Sequence, residues 1–459
     1  MSTSVIILAA GKGTRMRTGW PKALHMAAGR TLLDWAIDIA RGAEPSEISV
    51  VVGYEGAAVD AACPDHVTVV TQEPQLGTGH AFQVGLAGLA TLDTTIIVVP
   101  GDMPLITPAS IQALIEEHTE AGNAATVMTV EMDDPTGYGR VVRSEGSVSA
   151  IVEERDATDE QRAIREVNTS VYVFDGPIAS GAISGVTDDN DQAEYYLTDI
   201  VGILVEAGHR VGAVTVPAEE GIGVNSQAQL AKVSHILRQR INARLLDAGV
   251  TMMDPERVYI DAGADVASGA QILPDTYLLG ATSVGPGAVV GPSVEAVDSM
   301  IGAGARVRYA VLDTAVVGAD ASVGPYAYLR PGAVLKEGAK AGTHVEIKAS
   351  VIGKGSKVPH LSYIGDADIG EDSNIGAATV TVNYDGFEKH RTMIGDRVRI
   401  GSDTMLVAPV TVGDDATTGA GSVITRNVPP GALGIERNDQ RNIEGYAEKR
   451  RKRAEKEAR

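Results

Sequence analysis

VASGAQILPDTYLLGATSVGPGAVV (residues 266–290) places an aliphatic residue at every sixth position: Val266, Ile272, Leu278, Val284 and Val290. The same step is found again at Val317, Val323 and Leu329, resumes at Ile369 and Ile375, and returns at Ile394, Ile400, Leu406 and Val412. Glycine often follows, as in Val284-Gly285, Val323-Gly324 and Ile400-Gly401. A helical period of 3.6 cannot give a strict six, and neither can hairpins with two-residue turns. A hexad repeat fits a parallel β-helix, in which each short strand buries one aliphatic side chain and a glycine-rich turn follows. The low aromatic content, 4%, suits a narrow interior of Val, Ile, Leu and Ala. One slip is informative: between Ile375 and Ile394 lies VTVNYDGFEKHR (380–391), read as a loop projecting from a face.

Upstream, the rhythm is different. Strand-like ISVVVG (48–53), VTVVTQ (67–72), TIIVVPGD (95–102) and AATVMTV (124–130) alternate in part with helical LLDWAIDIARGA (32–43) and PASIQALIEEHTEAG (108–122). That order argues for an α/β domain with a mostly parallel, Rossmann-like sheet and ligands at the strands' carboxyl ends. The expected organisation is an α/β domain over 1–225, a linker helix over 226–249, an all-β β-helix over 250–445 and a charged tail over 446–459. The tail, YAEKRRKRAEKEAR, reads as a solvated or disordered end.

The chain has 459 residues, about three domains' worth of material. Its formal net charge of −21 argues against a nucleic-acid partner gripped over a wide face, though not against a small phosphate site. A single cysteine, Cys63, excludes an intrachain disulfide and fits a reducing compartment. No targeting segment and no apolar run approaching the ~20 residues of a membrane span is evident, so a cytoplasmic protein is expected.

Near the amino terminus, SVIILAAGKGTRM (4–16) is a strand running into a glycine loop. It matches neither the P-loop spacing nor the G-x-G-x-x-G dinucleotide loop, since Met16 stands where the third glycine belongs. It resembles instead the G-x-G-T-R loop of nucleoside-triphosphate sugar pyrophosphorylases, with Pro21 and Lys22 following. Backbone N–H groups of such a turn cradle phosphates, and Arg15 and Lys22 would balance the charge of the leaving pyrophosphate.

Further segments extend the resemblance over almost the whole chain, to the bifunctional N-acetylglucosamine-1-phosphate uridylyltransferase/glucosamine-1-phosphate N-acetyltransferases. QEPQLGTGHA (72–81) resembles the uridine segment, PGDMPL (100–105) the metal strand end, and TGYGR, IVEE and EVNTS the sugar site. The resemblance implies that Leu8, Ala9, Ala10, Gly11, Gly13, Lys22, Gln72, Gly77 and Thr78 bind UTP, and that Gly139, Glu153, Asn168 and Asn225 bind the UDP-sugar. It implies Mg²⁺ on Asp102 and Asn225, which suits a sparse oxygen site. His80 receives no role beyond a structural one, and Ser170 stands where glycine is common in the family.

For the hexad half the resemblance implies a left-handed β-helix acetyltransferase. His360 is its candidate general base, with Glu346 orienting it. Arg330, Lys348, Tyr363 and Asn374 would hold glucosamine 1-phosphate; Ala377, Asn383, Tyr384, Ser402, Ala420 and Arg437 would hold acetyl-CoA. The implied product of acetylation, N-acetylglucosamine 1-phosphate, is the acceptor for UTP, and the implied assembly is a homotrimer. Val382, the alanine in GAAT (376–379) and His344 depart from the family pattern without removing a group the chemistry needs. Two rivals stay open on sequence: a pyrophosphorylase whose β-helix only oligomerises, and a nucleotide-binding scaffold without activity.

Overall fold

The computed structural model describes residues 2–458. It divides into two compact units, Met1–Ile241 and Asn242–Arg459.

The first unit is built on a sheet of strands β1 (Thr3–Leu8), β2 (Glu47–Val52), β3 (Thr68–Thr71), β4 (Thr95–Pro100), β5 (Ala125–Glu131), β6 (Arg140–Ser144), β7 (Ser147–Val152), β8 (Glu166–Asp175) and β9 (Val211–Thr215). Its order is β9-β5-β8-β4-β1-β2-β3, with the β6–β7 hairpin joined to β8. β1 lies parallel between β2 and β4, while β8 runs antiparallel to β4 and β5. Both faces of the central strands are apolar because helices cover both. Ile7, Val50, Ile97 and Val99 pack with Leu33 and Ile37 of helix α1 (Leu32–Arg41) on one face. Ile6, Val51, Ile96 and Val98 pack on the other with Phe82 of α2 (Thr78–Ala87). Helix α3 (Pro108–Ala121) joins the first face and α4 (Asp199–Glu206) the second. The site therefore opens where β1 and β4 end together, Leu8 beside Pro100.

Helix α5 (Gln227–Asp247) covers the stretch read as a linker, yet it is no free connector. Val233 and Leu237 are buried with Met16, Leu32, Leu105 and Val224 of the first unit.

The second unit is a left-handed β-helix whose short strands form three parallel sheets, of eleven, ten and nine strands among the described residues. Hexad aliphatics stack in register, Ile272 on Val290 and Val266 on Val284. One sheet carries the outward column Tyr328, Glu346, Tyr363 and Val380. The slip seen in sequence is a long coil: Val380 pairs with Met405, and the extra residues form a loop closed by a Tyr384–Lys389 bridge. The tail is ordered as helix α6 (Tyr446–Glu457), solvated throughout and crossed by Lys452–Glu448 and Arg453–Glu457 pairs.

Candidate active sites

In the first unit a cavity of about 580 Å³ is lined by Leu8, Ala9, Ala10, Gly11, Lys22, Gln72, Gly77, Thr78 and Asp102, among others. The loop after β1 is pinned by its backbone, Ala9 N donating to Val51 O and Gly101 N to Leu8 O, both at 2.9 Å. Gly13 has φ 61°, and a β-carbon there would lie 2.8 Å from Lys22 Cβ. Glycine is thus required both by conformation and by contact. Gly77, at φ 111°, likewise has no room beside the Tyr195 carbonyl, 2.6 Å from a β-carbon position.

Gln72 is buried, and its amide donates to Gly77 O at 2.9 Å and to His80 Nδ1 at 3.2 Å. Thr78 Oγ1 accepts from Leu197 N at 3.0 Å, tying the start of α2 to the segment before α4. The sugar residues also converge. Asn168 N donates to Gly139 O at 2.9 Å, and a β-carbon on Gly139 would lie 3.5 Å from Glu153 Oε1. Burial pushes the Glu153 carboxyl above its usual range, opposed by a 3.2 Å hydrogen bond from Thr198 and reinforced by the charges of Asp199 and Asp156. Asn168 Nδ2 donates to the buried Tyr172 hydroxyl at 2.7 Å, while its Oδ1 accepts from Ser170 N at 2.9 Å. That turn holds Ser170 at φ 61°, which explains why glycine suits the position and how serine is accommodated.

Lys22 forms an ion pair with Asp102 and donates to Asn225 Oδ1 at 2.6 Å. The two oxygens read as metal ligands therefore aim at one cation position. Hard carboxylate and amide oxygens of this kind fit Mg²⁺ or a similar ion, with waters and phosphate completing the shell. Arg15 is exposed and has no hydrogen bond or ion pair among the described residues.

In the second unit, coil stacking gathers a polar cluster. Lys348 Nζ donates to Asp366 at 3.0 and 3.1 Å, Asn383 Nδ2 donates to the same carboxylate, and Asn383 lies 3.5 Å from the Tyr363 hydroxyl. Burial alone would raise the Asp366 carboxyl, but the Lys348 and Asn383 hydrogen bonds hold it below its usual value. Asp366 is absent from the sequence-based site; it stands directly after Gly365, which stacks on Lys348 from seventeen residues further on, and that stacking is the signal that could have found it. His80, read from sequence as structural, meets Gln72 from the first turn of α2.

Glu346 accepts from Arg330 Nη1 at 2.8 Å, and no bond links it to His360. His360 lies on a different sheet, opposite Thr343. Its imidazole is exposed and makes no hydrogen bond among the described residues, so nothing within the chain orients it. His360 O accepts from Ala378 N at 3.4 Å, beside the acetyl-CoA candidates. There Ala377 O accepts from Asp403 N, Ser402 O from Gly421 N, and Ala420 O from Arg437 Nη1 at 2.9 Å. These are successive turns of one corner. Asn374 sits one sheet position from Lys357, and Tyr384 on the projecting loop is exposed. His344 stacks on Tyr326 with ring centroids 5.2 Å apart, filling an aromatic position in a corner column.

Residues 5–168 match the MobA-like NTP transferase domain, 287–387 the GlmU-like C-terminal hexapeptide, and 391–426 the bacterial transferase hexapeptide of six repeats. The bifunctional protein GlmU of Streptomyces avermitilis is 50% identical over 455 residues, covering 98% of this chain and 94% of that one. Those of Corynebacterium aurimucosum and Caldanaerobacter subterraneus are 47% and 44% identical, covering 98% and 97% of this chain and 94% and 97% of theirs. With both transferase modules matched in order along nearly its whole length, the chain belongs to the GlmU family of bifunctional enzymes, joining uridylyl transfer to acetyl transfer.

Proposed function

We infer that the two modules run consecutive steps of UDP-N-acetylglucosamine synthesis, each on the residues gathered above. Acetyl transfer comes first. His360 takes a proton from the 2-amino group of glucosamine 1-phosphate, and the nitrogen attacks the thioester carbon of acetyl-CoA. The C–N bond forms as the C–S bond breaks, and coenzyme A leaves as its thiol. Arg330, held by Glu346, and Lys348, held by Asp366, supply charge for the sugar phosphate, with Asn374 and Tyr363 placing the ring. The corner turns Ala377, Ser402 and Ala420, with Arg437, Asn383 and Tyr384, seat acetyl-CoA.

In the second step a phosphate oxygen of N-acetylglucosamine 1-phosphate attacks the α-phosphorus of UTP in line, and pyrophosphate departs. The loop from Leu8 to Gly13 offers N–H groups to the triphosphate, while Arg15 and Lys22 offset its charge. With both amide protons of Gln72 spent on Gly77 and His80, Oε1 is left to accept the uracil N3–H. Gly139, Glu153 and Asn168 receive the acetamido sugar. This half uses a divalent metal, which we assign as Mg²⁺ on Asp102 and Asn225; when bound it neutralises phosphate charge.

The observation that carries the reading is the convergence of Lys22, Asp102 and Asn225, from three distant parts of the chain, at the mouth of one cavity. An exposed face bearing Tyr277, Tyr309, Val311, Tyr326 and Tyr328 supports packing against further copies, which we assign as a homotrimer. A single free, half-buried cysteine suits a reducing compartment and supports a cytoplasmic location.

Mass-spectrometric product analysis with glucosamine 1-phosphate, acetyl-CoA, UTP and Mg²⁺, each omitted in turn, tests the reading. UDP-N-acetylglucosamine is expected only from the complete mixture, with N-acetylglucosamine 1-phosphate accumulating without UTP. Product from supplied N-acetylglucosamine 1-phosphate without any acetylation would reduce the β-helix to an assembly module.

A further inference from the structure

The Lys22 ammonium lies between the Asp102 carboxylate and Asn225 Oδ1, the two oxygens assigned to the metal. One position is thus claimed by two cations. Lys22 is well placed for that double claim: only 15% of its side chain is exposed, and it leaves the short turn Lys22–Leu24 with its β-carbon against Gly13 of the phosphate loop. The same cavity is lined by Gly11 and Lys12, so the phosphate-binding backbone is within the compass of one rotating side chain. An ammonium and a divalent ion cannot both sit on these oxygens, because like charges in a partly buried site repel strongly. The Asn225 backbone is held, its N–H donating to Gln229 Oε1 at 2.9 Å, and its side chain is short, whereas Lys22 carries its ammonium on a flexible four-carbon stem that can turn.

We propose that Lys22 is a placeholder cation, neutralising Asp102 until a divalent ion takes the Asp102 and Asn225 oxygens and then swinging its ammonium to the triphosphate at the glycine loop. The proposal rests on the reading of those two residues as metal ligands. It makes metal entry and lysine–phosphate contact a single event, and it never leaves the half-buried carboxylate without a counter-charge. Arg15, which makes no hydrogen bond or ion pair among the described residues, is outside this exchange.

Reductive dimethylation of the full-length protein, read by mass spectrometry at Lys22 and at the exposed Lys12, tests it. Mn²⁺ is added without nucleotide, and its binding is followed by electron paramagnetic resonance in the same samples. Labelling of Lys22 is expected to rise about fivefold along the Mn²⁺ isotherm, the change in accessibility for release of a partly shielded ion pair, with Lys12 unaffected. In Asp102→Ala, Lys22 labels at the fast rate with or without Mn²⁺. Lys22→Met should bind Mn²⁺ about fivefold tighter than the parent. Mn²⁺ binding with Lys22 labelling unchanged, or no Mn²⁺ binding by the parent without nucleotide, overturns the exchange. The ligand assignment fails separately, if Asp102→Ala binds Mn²⁺ in the presence of UTP as well as the parent does.

Discussion

His80 Nδ1 lies 3.2 Å from Gln72 Nε2 and takes the second proton of an amide whose first goes to the Gly77 carbonyl. With Gly77, the histidine thereby leaves Gln72 Oε1 as the end that meets the base in the proposed uridine site. Truncation to His80→Ala frees the amide to turn. The KM for UTP should rise about fivefold, the worth of one hydrogen bond, and discrimination against CTP should relax because cytosine lacks the N3 proton. Steady-state kinetics with both nucleotides check this, and acetyl transfer should be unchanged.

The two chemistries reside in separate units, so single substitutions should separate them. Asp102→Ala is expected to abolish uridylyl transfer and spare acetylation. His360→Ala should do the reverse, with a loss on the order of 10²–10⁴ in kcat for removal of a general base. Loss of both activities in either folded variant would refute the independence of the sites.

Asp366 touches neither reacting atom yet holds Lys348 and Asn383. Asp366→Ala should raise the KM for glucosamine 1-phosphate by about tenfold or more, since a charged hydrogen-bond partner is lost from each side chain. Asp366→Asn, which keeps an acceptor, should recover part of that affinity. Measured KM and kcat for both variants separate this positioning role from collapse of the coil.

Glu153 gives a pH test of stability. Its folded-state carboxyl is raised by burial, so the folded protein holds the proton more tightly than the unfolded chain. The stability this contributes is complete below the ordinary value of 4.5 and is lost as pH rises through the folded-state value. Glu153→Gln should therefore melt higher than the parent at neutral pH, with the advantage shrinking on acidification. Thermal melts across pH check the slope, and the KM for N-acetylglucosamine 1-phosphate should rise.

Gly13→Ala forces a side chain into a left-handed conformation against Lys22 Cβ. About 1–2 kcal/mol of strain is expected, together with loss of uridylyl transfer and retention of acetylation. Chemical denaturation and the two separate assays check it.

Much of this was legible in sequence because a coil repeats the same physical demand. Ile272 and Val290 recur in register since each must fill the same interior, and the slip after Ile375 marked the loop because the coil there is lengthened rather than trimmed at a corner. The tight turn after β1 was legible because only glycine fits at Gly13. What sequence could not show were partners chosen by three-dimensional proximity. Lys22 meets residues 102 and 225 only because β1, β4 and the segment before α5 end at one mouth. Glu346 was read towards His360 but meets Arg330, since His360 stands on another sheet. The amphipathic pattern of α5 announced a helix without saying that Val233 and Leu237 pack into the first unit.

The stacked coils also govern how this half of the protein can change in length. Val290, Val307, Val323 and Ala341 stack inward in turn at spacings of 17, 16 and 18 residues, so a corner absorbs the loss of one or two residues while the strands keep like side chains over like. Insertions and deletions are therefore absorbed at the corners, from the one or two residues by which these coils differ to the excursion thrown out at residues 383–391.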